Sequence, residues 1–256
     1  MMSDLSPNQQ EQAVALLERK QRRLRLRKSN YEDGGVEREL SSFFSGIAGD
    51  AKTIGILEVG VGDLEDAREA FADATDYYQR SAEEDVFPLH STRQRTQGMY
   101  TALLAGATDD LVAIAESMIR LAGTEDCTPG DDNSDRYFLA WCLAGAVLGD
   151  IDDAALDGLE ESNQSKPDKH SDYGHAVLSV VRGLRDDDSA ALQTGIESML
   201  SFHQQDSHQD NIVDQVMSVQ TTALLVLVRA RGDDLTVESP YIPEDLVQHA
   251  AEELDL

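Results

Sequence analysis

Histidine beside aspartate is the pairing in this sequence that could hold a metal ion. Two clusters carry it: Asp168, His170, Asp172 and His175, then His203, Asp206, His208 and Asp210. Imidazole and carboxylate ligate Zn²⁺ or Mn²⁺, and His203 with Asp206, three residues apart, share one face of a helix. Both clusters fall at predicted helix ends among other polar residues. Aspartate is so abundant here that such neighbours arise by chance, so the expectation is no metal and no cofactor. A nucleophilic cysteine needs an electropositive, partly exposed setting. Cys142 follows Trp141 in the apolar stretch 137–143, where an inert thiol is expected, and Cys127 sits in an acidic loop. GxGxxG, P-loop, GxSxG, HExxH and paired CxxC patterns are all missing. No catalytic residue is assigned, and the expectation is a protein that is not an enzyme.

One basic segment opposes the rest of the chain. Arg19, Lys20, Arg22, Arg23, Arg25, Arg27 and Lys28 gather seven of the 21 positive charges of a sequence with 49 acids and a net charge of −28. They would dock an acidic partner or RNA, or brace the helix against acidic helices of its own fold. The brace is the expectation, because intramolecular acids are always present. The acidic excess repels nucleic acid and anionic membranes, so neither is an expected partner. With five lysines in 256 residues, the composition resembles that of proteins from salt-loving archaea. At molar salt the Debye length falls to about 3 Å and surface carboxylates scarcely repel one another. Two cysteines build no disulfide framework, and the longest apolar run, 223–228, is too short to span a bilayer. No apolar leader opens the sequence, and a cytoplasmic protein is expected.

Helical periodicity must position these residues. Ser6-Pro7-Asn8-Gln9 reads as a helix start, followed by the stripe Ala13, Leu16, Leu17 and Leu24, with a stop at Asp33-Gly34-Gly35. A second helix is predicted over 36–48, carrying Leu40, Phe43, Phe44 and Ile47. A Gly/Asp turn followed by an alanine-rich amphipathic helix then recurs at Gly62, Gly106, Gly149 and Gly183, spaced 44, 43 and 34 residues apart. Glycine ends one helix, and Asp or Thr caps the next. Such periods belong to stacked helical hairpins, although the tetratricopeptide signature is not met. A single apolar helix over 211–231 should lie mid-core. Residues 235–238 should be extended, and Ser239-Pro240-Tyr241-Ile242-Pro243 non-helical, wedging the last helix with Tyr241 packed. Glu244 and Asp245 open that helix. Long polar loops are predicted over 124–135 and 163–172. The expected fold is all-α: a single domain over 1–256, an irregular array of antiparallel helical hairpins with a short extended, proline-containing segment before the last helix.

Leu200-Ser201-Phe202-His203, the apolar stretch 221–231, Arg231-Gly232-Asp233 and Val237-Glu238-Ser239-Pro240-Tyr241-Ile242-Pro243 follow in that order. The order resembles the closing segment of the immunity protein 49 family, the predicted antitoxins of polymorphic toxin systems. Tyr77-Tyr78-Gln79-Arg80-Ser81-Ala82 and the turn at 104–109 are also similar to that family. The resemblance implies an all-α fold and a non-catalytic immunity protein that binds and neutralises a cognate protein toxin. It carries over no toxin-binding residues. The residues alone leave two alternatives: a helical-repeat adaptor presenting a concave groove, and a metal-dependent enzyme built on the His/Asp clusters. The sequence sets no oligomeric state.

Overall fold

Alternating strand patterns are scarce and 3.6-residue stripes are frequent, so each segment can bury its apolar side only against another helix. The computed structural model describes residues 5–36, 39–85, 87–124, 127–131, 133–164, 166, 168–206 and 211–256. The helices are α1 (Pro7–Glu32), α2 (Leu40–Val61), α3 (Leu64–Glu83), α4 (Thr92–Ala105), α5 (Thr108–Ala122) and α6 (Ser134–Leu148). They continue as α7 (Asp153–Gln164), α8 (Asp168–Asp186), α9 (Ser189–Asp206), α10 (Ile212–Val216), α11 (Val219–Ala230) and α12 (Glu244–Glu253). Among the described residues there is no strand. The fold is all-α, an array of packed helices.

The first helix starts where its sequence says. Ser6 and Gln9 close a reciprocal capping box around Pro7 in the first turn. The recurring turns are equally regular. Gly62, Gly106, Gly149 and Gly232 take the left-handed conformation, with φ of 90°, 71°, 78° and 95°. After each, the next N–H returns to a carbonyl five residues back: Asp63 to Glu58, Ala107 to Ala102, Asp150 to Gly145 and Asp233 to Val228. That bond satisfies a carbonyl the helix end would otherwise leave open. Asp63, Asp152 and Asp188 then cap α3, α7 and α9 by accepting backbone N–H bonds.

Several boundaries differ from the sequence reading. The fourth turn is not at Gly183. α8 runs on to Asp186, Asp187 takes the left-handed position at φ 52°, and Asp188 N–H donates to the Gly183 carbonyl. Gly183 serves close packing instead, since a Cβ there would lie 2.8 Å from Leu192. Thr108 does not cap α5; its hydroxyl accepts from the Asp255 N–H at 3.2 Å and ties down the last turn of chain. α2 does not end at 48 but passes through Gly49, Gly55 and Gly60 to Val61. Of the predicted loop 163–172, only 165–167 lies between α7 and α8. The apolar helix predicted over 211–231 is broken as well. Met217 is extended, Ser218 N–H donates to the Tyr241 carbonyl at 2.9 Å, and Ser218 Oγ lies 2.8 Å from Thr221 Oγ1. Ile212–Ala230 is long and apolar enough to cross a membrane by length and composition only; within the fold, 67% of it is buried.

Helices adjacent in sequence pack on one another from α1 through α9, and α4, α6 and α8 also meet in a row. α11 lies against α4, α9 and α12, with every residue from Thr221 to Val228 buried. The main apolar cluster is continuous from Leu5 to Leu254.

Candidate partner-binding groove

Of the residues that could do metal chemistry, His203 is occupied otherwise. His203 Nε2–H donates to the Asp214 carbonyl at 2.9 Å, and its ring meets the Tyr241 ring edge-on at 4.9 Å. The side chains of Asp168 and His170, and residues His208 and Asp210, lie outside the described residues. Asp172 and His175 are exposed on α8. Among the described residues no group of three or more His, Cys, Asp or Glu side chains converges as a metal site. Burial, with the Asp152 charge adding, pushes the Cys142 thiol up to about 12. Burial and Asp131 likewise raise Cys127. Neither is a thiolate at neutral pH.

The basic segment divides into two faces. Lys20, Arg23 and Arg27 recur at helical spacing along α1 and converge on the Asp50 carboxylate of α2, which is 1% exposed. Lys20 Nζ reaches Oδ1 at 3.0 Å, Arg23 Nε reaches Oδ2 at 2.6 Å and Arg27 Nη1 reaches Oδ2 at 2.8 Å. Arg27 also donates to the Gly46 carbonyl at 2.6 Å. Lys28 pairs with Asp73 at 2.7 Å. Burial alone would raise the Asp50 pKa. Hydrogen bonds from Arg23 and Lys20, with the charges of Lys20 and Arg27, outweigh it and hold the carboxyl below its usual range. Arg19, Arg22 and Arg25 stay exposed, without ion pairs among the described residues.

A concavity lies elsewhere, where the closing segment crosses the α2–α3 turn. It encloses about 640 Å³. Val59, Leu64, Val216, Val237 and Ile242 give it an apolar floor, and Glu238, Glu244 and Asp245 an acidic rim. No Lys or Arg lines it among the described residues. Behind Val59 stands Glu58, 5% exposed, which accepts from Gln21 Nε2 at 3.1 Å. Burial raises its pKa, with the charges of Asp66 and Asp63 adding.

The backbone along this groove is open. Leu235 and Val237 turn inward at 7% and 9% exposure, while Thr236 and Glu238 face out. That is the period-two alternation of a strand. Arg229 fixes its start by donating from Nε and Nη2 to the Leu235 carbonyl at 3.0 and 2.9 Å, while Nη1 holds Glu244 at 2.5 Å. The turn after it is closed by Ile242 N–H on the Ser239 carbonyl. Between these two anchors, the N–H and C=O groups of Thr236, Val237 and Glu238 have no hydrogen-bond partner among the described residues. The sequence signals the extended segment and its prolines. It carries no signal that α2 and α3, some 175 residues earlier, supply the facing wall.

No protein-family model, curated protein or solved structure matches the chain.

Proposed function

We propose that this chain is a non-catalytic, immunity-type protein that neutralises a protein toxin by holding an extended segment of it in the groove beside residues 236–243. The unpaired edge at Thr236–Val237–Glu238 carries the reading: it is an extended segment with room for a partner strand beside it. Main-chain bonds along such an edge give affinity, and side-chain pockets give specificity. The apolar floor takes alternate apolar side chains of the incoming segment. Glu238 on the rim favours lysine or arginine between them. The same stretch carries the resemblance to the immunity protein 49 family. The adaptor reading has less support, because α11 of this chain already covers the face of α4 that an open array would present. The reading places the protein in the cytoplasm, where Cys127 and Cys142 remain free thiols.

The test is growth rescue. Each reading frame beside the gene is expressed in a host with and without this chain. One frame is expected to arrest growth and the chain to relieve it. Glu238→Lys combined with Thr236→Pro should abolish relief while leaving the melting midpoint in place, because both side chains face out. Relief by the double variant would exclude the groove, and absence of any relieved toxic frame would exclude the immunity role.

A further inference from the structure

α1 packs on α2 and α10 through one side, and of its 26 residues only Ala13 and Leu17 are buried. The opposite side has an order of its own. Glu11, Ala15, Glu18, Arg22, Arg25 and Ser29 are all exposed and follow one another at alternating steps of four and three residues. That is the spacing of a seam between two helices, about 3.5 residues per turn. Val14 and Leu26 flank the stripe at 45% and 65% exposure. The side chains of Glu11, Glu18, Arg22 and Arg25 make no ion pair among the described residues.

Charge reverses halfway along the stripe, with the acids in its first half and the arginines in its second. A half-turn about the level of residue 20 maps the stripe onto itself. It lays Glu18 over Arg22, Ala15 over Arg25 and Glu11 over Ser29, so the face complements itself in the antiparallel sense. Laid parallel, each half would meet its own sign, which is repulsive. An acidic partner or a nucleic acid would be drawn to the arginines but repelled by Glu11 and Glu18 on the same stripe. A second copy of this chain satisfies both halves. Elsewhere two copies repel, since the chain carries 49 acids against 21 basic residues, whereas α1 carries seven basic residues against three acids.

We propose that this face of α1 pairs with α1 of a second copy, antiparallel, about a two-fold axis at the level of residue 20. None of the stripe residues lines the groove. From Glu11 to Ser29 the stripe runs about 27 Å at about 1.5 Å per residue. That is a small contact for a specific interface, so the dimer is weak, with a dissociation constant on the order of 0.1 mM.

Sedimentation equilibrium of the full chain in molar KCl reads the association. There the Debye length of about 3 Å removes repulsion between the two bodies and spares pairs in contact. The mass should rise from 28.1 kDa towards twice that value as concentration increases. Glu11→Arg with Glu18→Arg gives a stripe of arginines, and Arg22→Glu with Arg25→Glu a stripe of acids. Each should weaken self-association by about tenfold or more, and the two variants mixed should associate again. Ala15→Glu sets a carboxylate over Arg25 and should tighten the dimer by about threefold, although it makes the chain more negative. A mass of 28.1 kDa up to about 1 mM, a dimer that survives either reversal, or a mixture that does not associate overturns the proposal. If a reversal variant does not fold, Ala15→Glu decides alone, and unchanged or weaker association overturns it.

Discussion

At Asp50 three cations of one helix meet a single carboxylate with almost none of its surface in water. Removing one arginine leaves two partners in place. Removing the carboxylate leaves Lys20, Arg23 and Arg27 crowded together without a counter-charge. Breaking a buried pair from one side costs about 3–5 kcal/mol, and that loss is expected for Asp50→Asn in urea unfolding at fixed salt. Arg22→Gln with Arg25→Gln should change stability by only about 0.5 kcal/mol or less, since both are exposed and unpaired. The pH dependence has a definite sign. Asp50 titrates lower in the folded state, so its contribution is complete above the unfolded value near ~3.9 and is lost as pH falls through the folded one. The acid limb of the stability profile should therefore flatten in Asp50→Asn. At this scale the sequence showed half the arrangement. The spacing of Lys20, Arg23 and Arg27 reveals one stripe, but among 49 acids nothing local marks Asp50 as its target.

Between helices, the repeated left-handed turn was legible because glycine is the residue that conformation favours. The same residue type misled at Gly183, where its missing side chain admits Leu192 rather than a positive φ. Sequence cannot separate those two uses of glycine. The displaced turn falls on Asp187, and a side chain in that conformation carries strain that glycine does not. Asp187→Gly is expected to stabilise by about 0.5–1 kcal/mol, the relieved strain less the added backbone freedom of the unfolded chain. Gly183→Ala should destabilise. Paired thermal melts distinguish them, and the opposite ordering would mean that the turn is at Gly183 after all. Ser218 escaped notice for a related reason. Its neighbours are helix-compatible and apolar, and the interruption is imposed by the Tyr241 carbonyl 23 residues later in the chain.

For the molecule as a whole, the charge of −28 sets the response to salt. The ion pairs other than those at Asp50 lie mostly on half-exposed side chains and offset little of it. Between about 0.1 M and 1 M salt the Debye length shrinks from about 10 Å to about 3 Å. The melting midpoint should rise steeply over that range in KCl, and a midpoint independent of salt would show that self-repulsion is unimportant here. The all-α class was readable at this scale because helix stripes are local. The groove was not, because its two walls are brought together only by folding.

The position of α11 in the chain also gives the protein a history during synthesis. Helices α1 through α9 can pair with their predecessors as each emerges, but α11, which also packs on α4, emerges long after it. Ala105 ends α4 and Val219 begins α11. At translation rates of about 5–20 residues per second, the interval between them is on the order of ten seconds. Through that interval the growing chain, with α1 to α4 made at its start and α5 to α9 added before its end, carries an uncovered apolar strip. That nascent intermediate, rather than the finished protein, is the form that chaperones would bind and that would aggregate under stress.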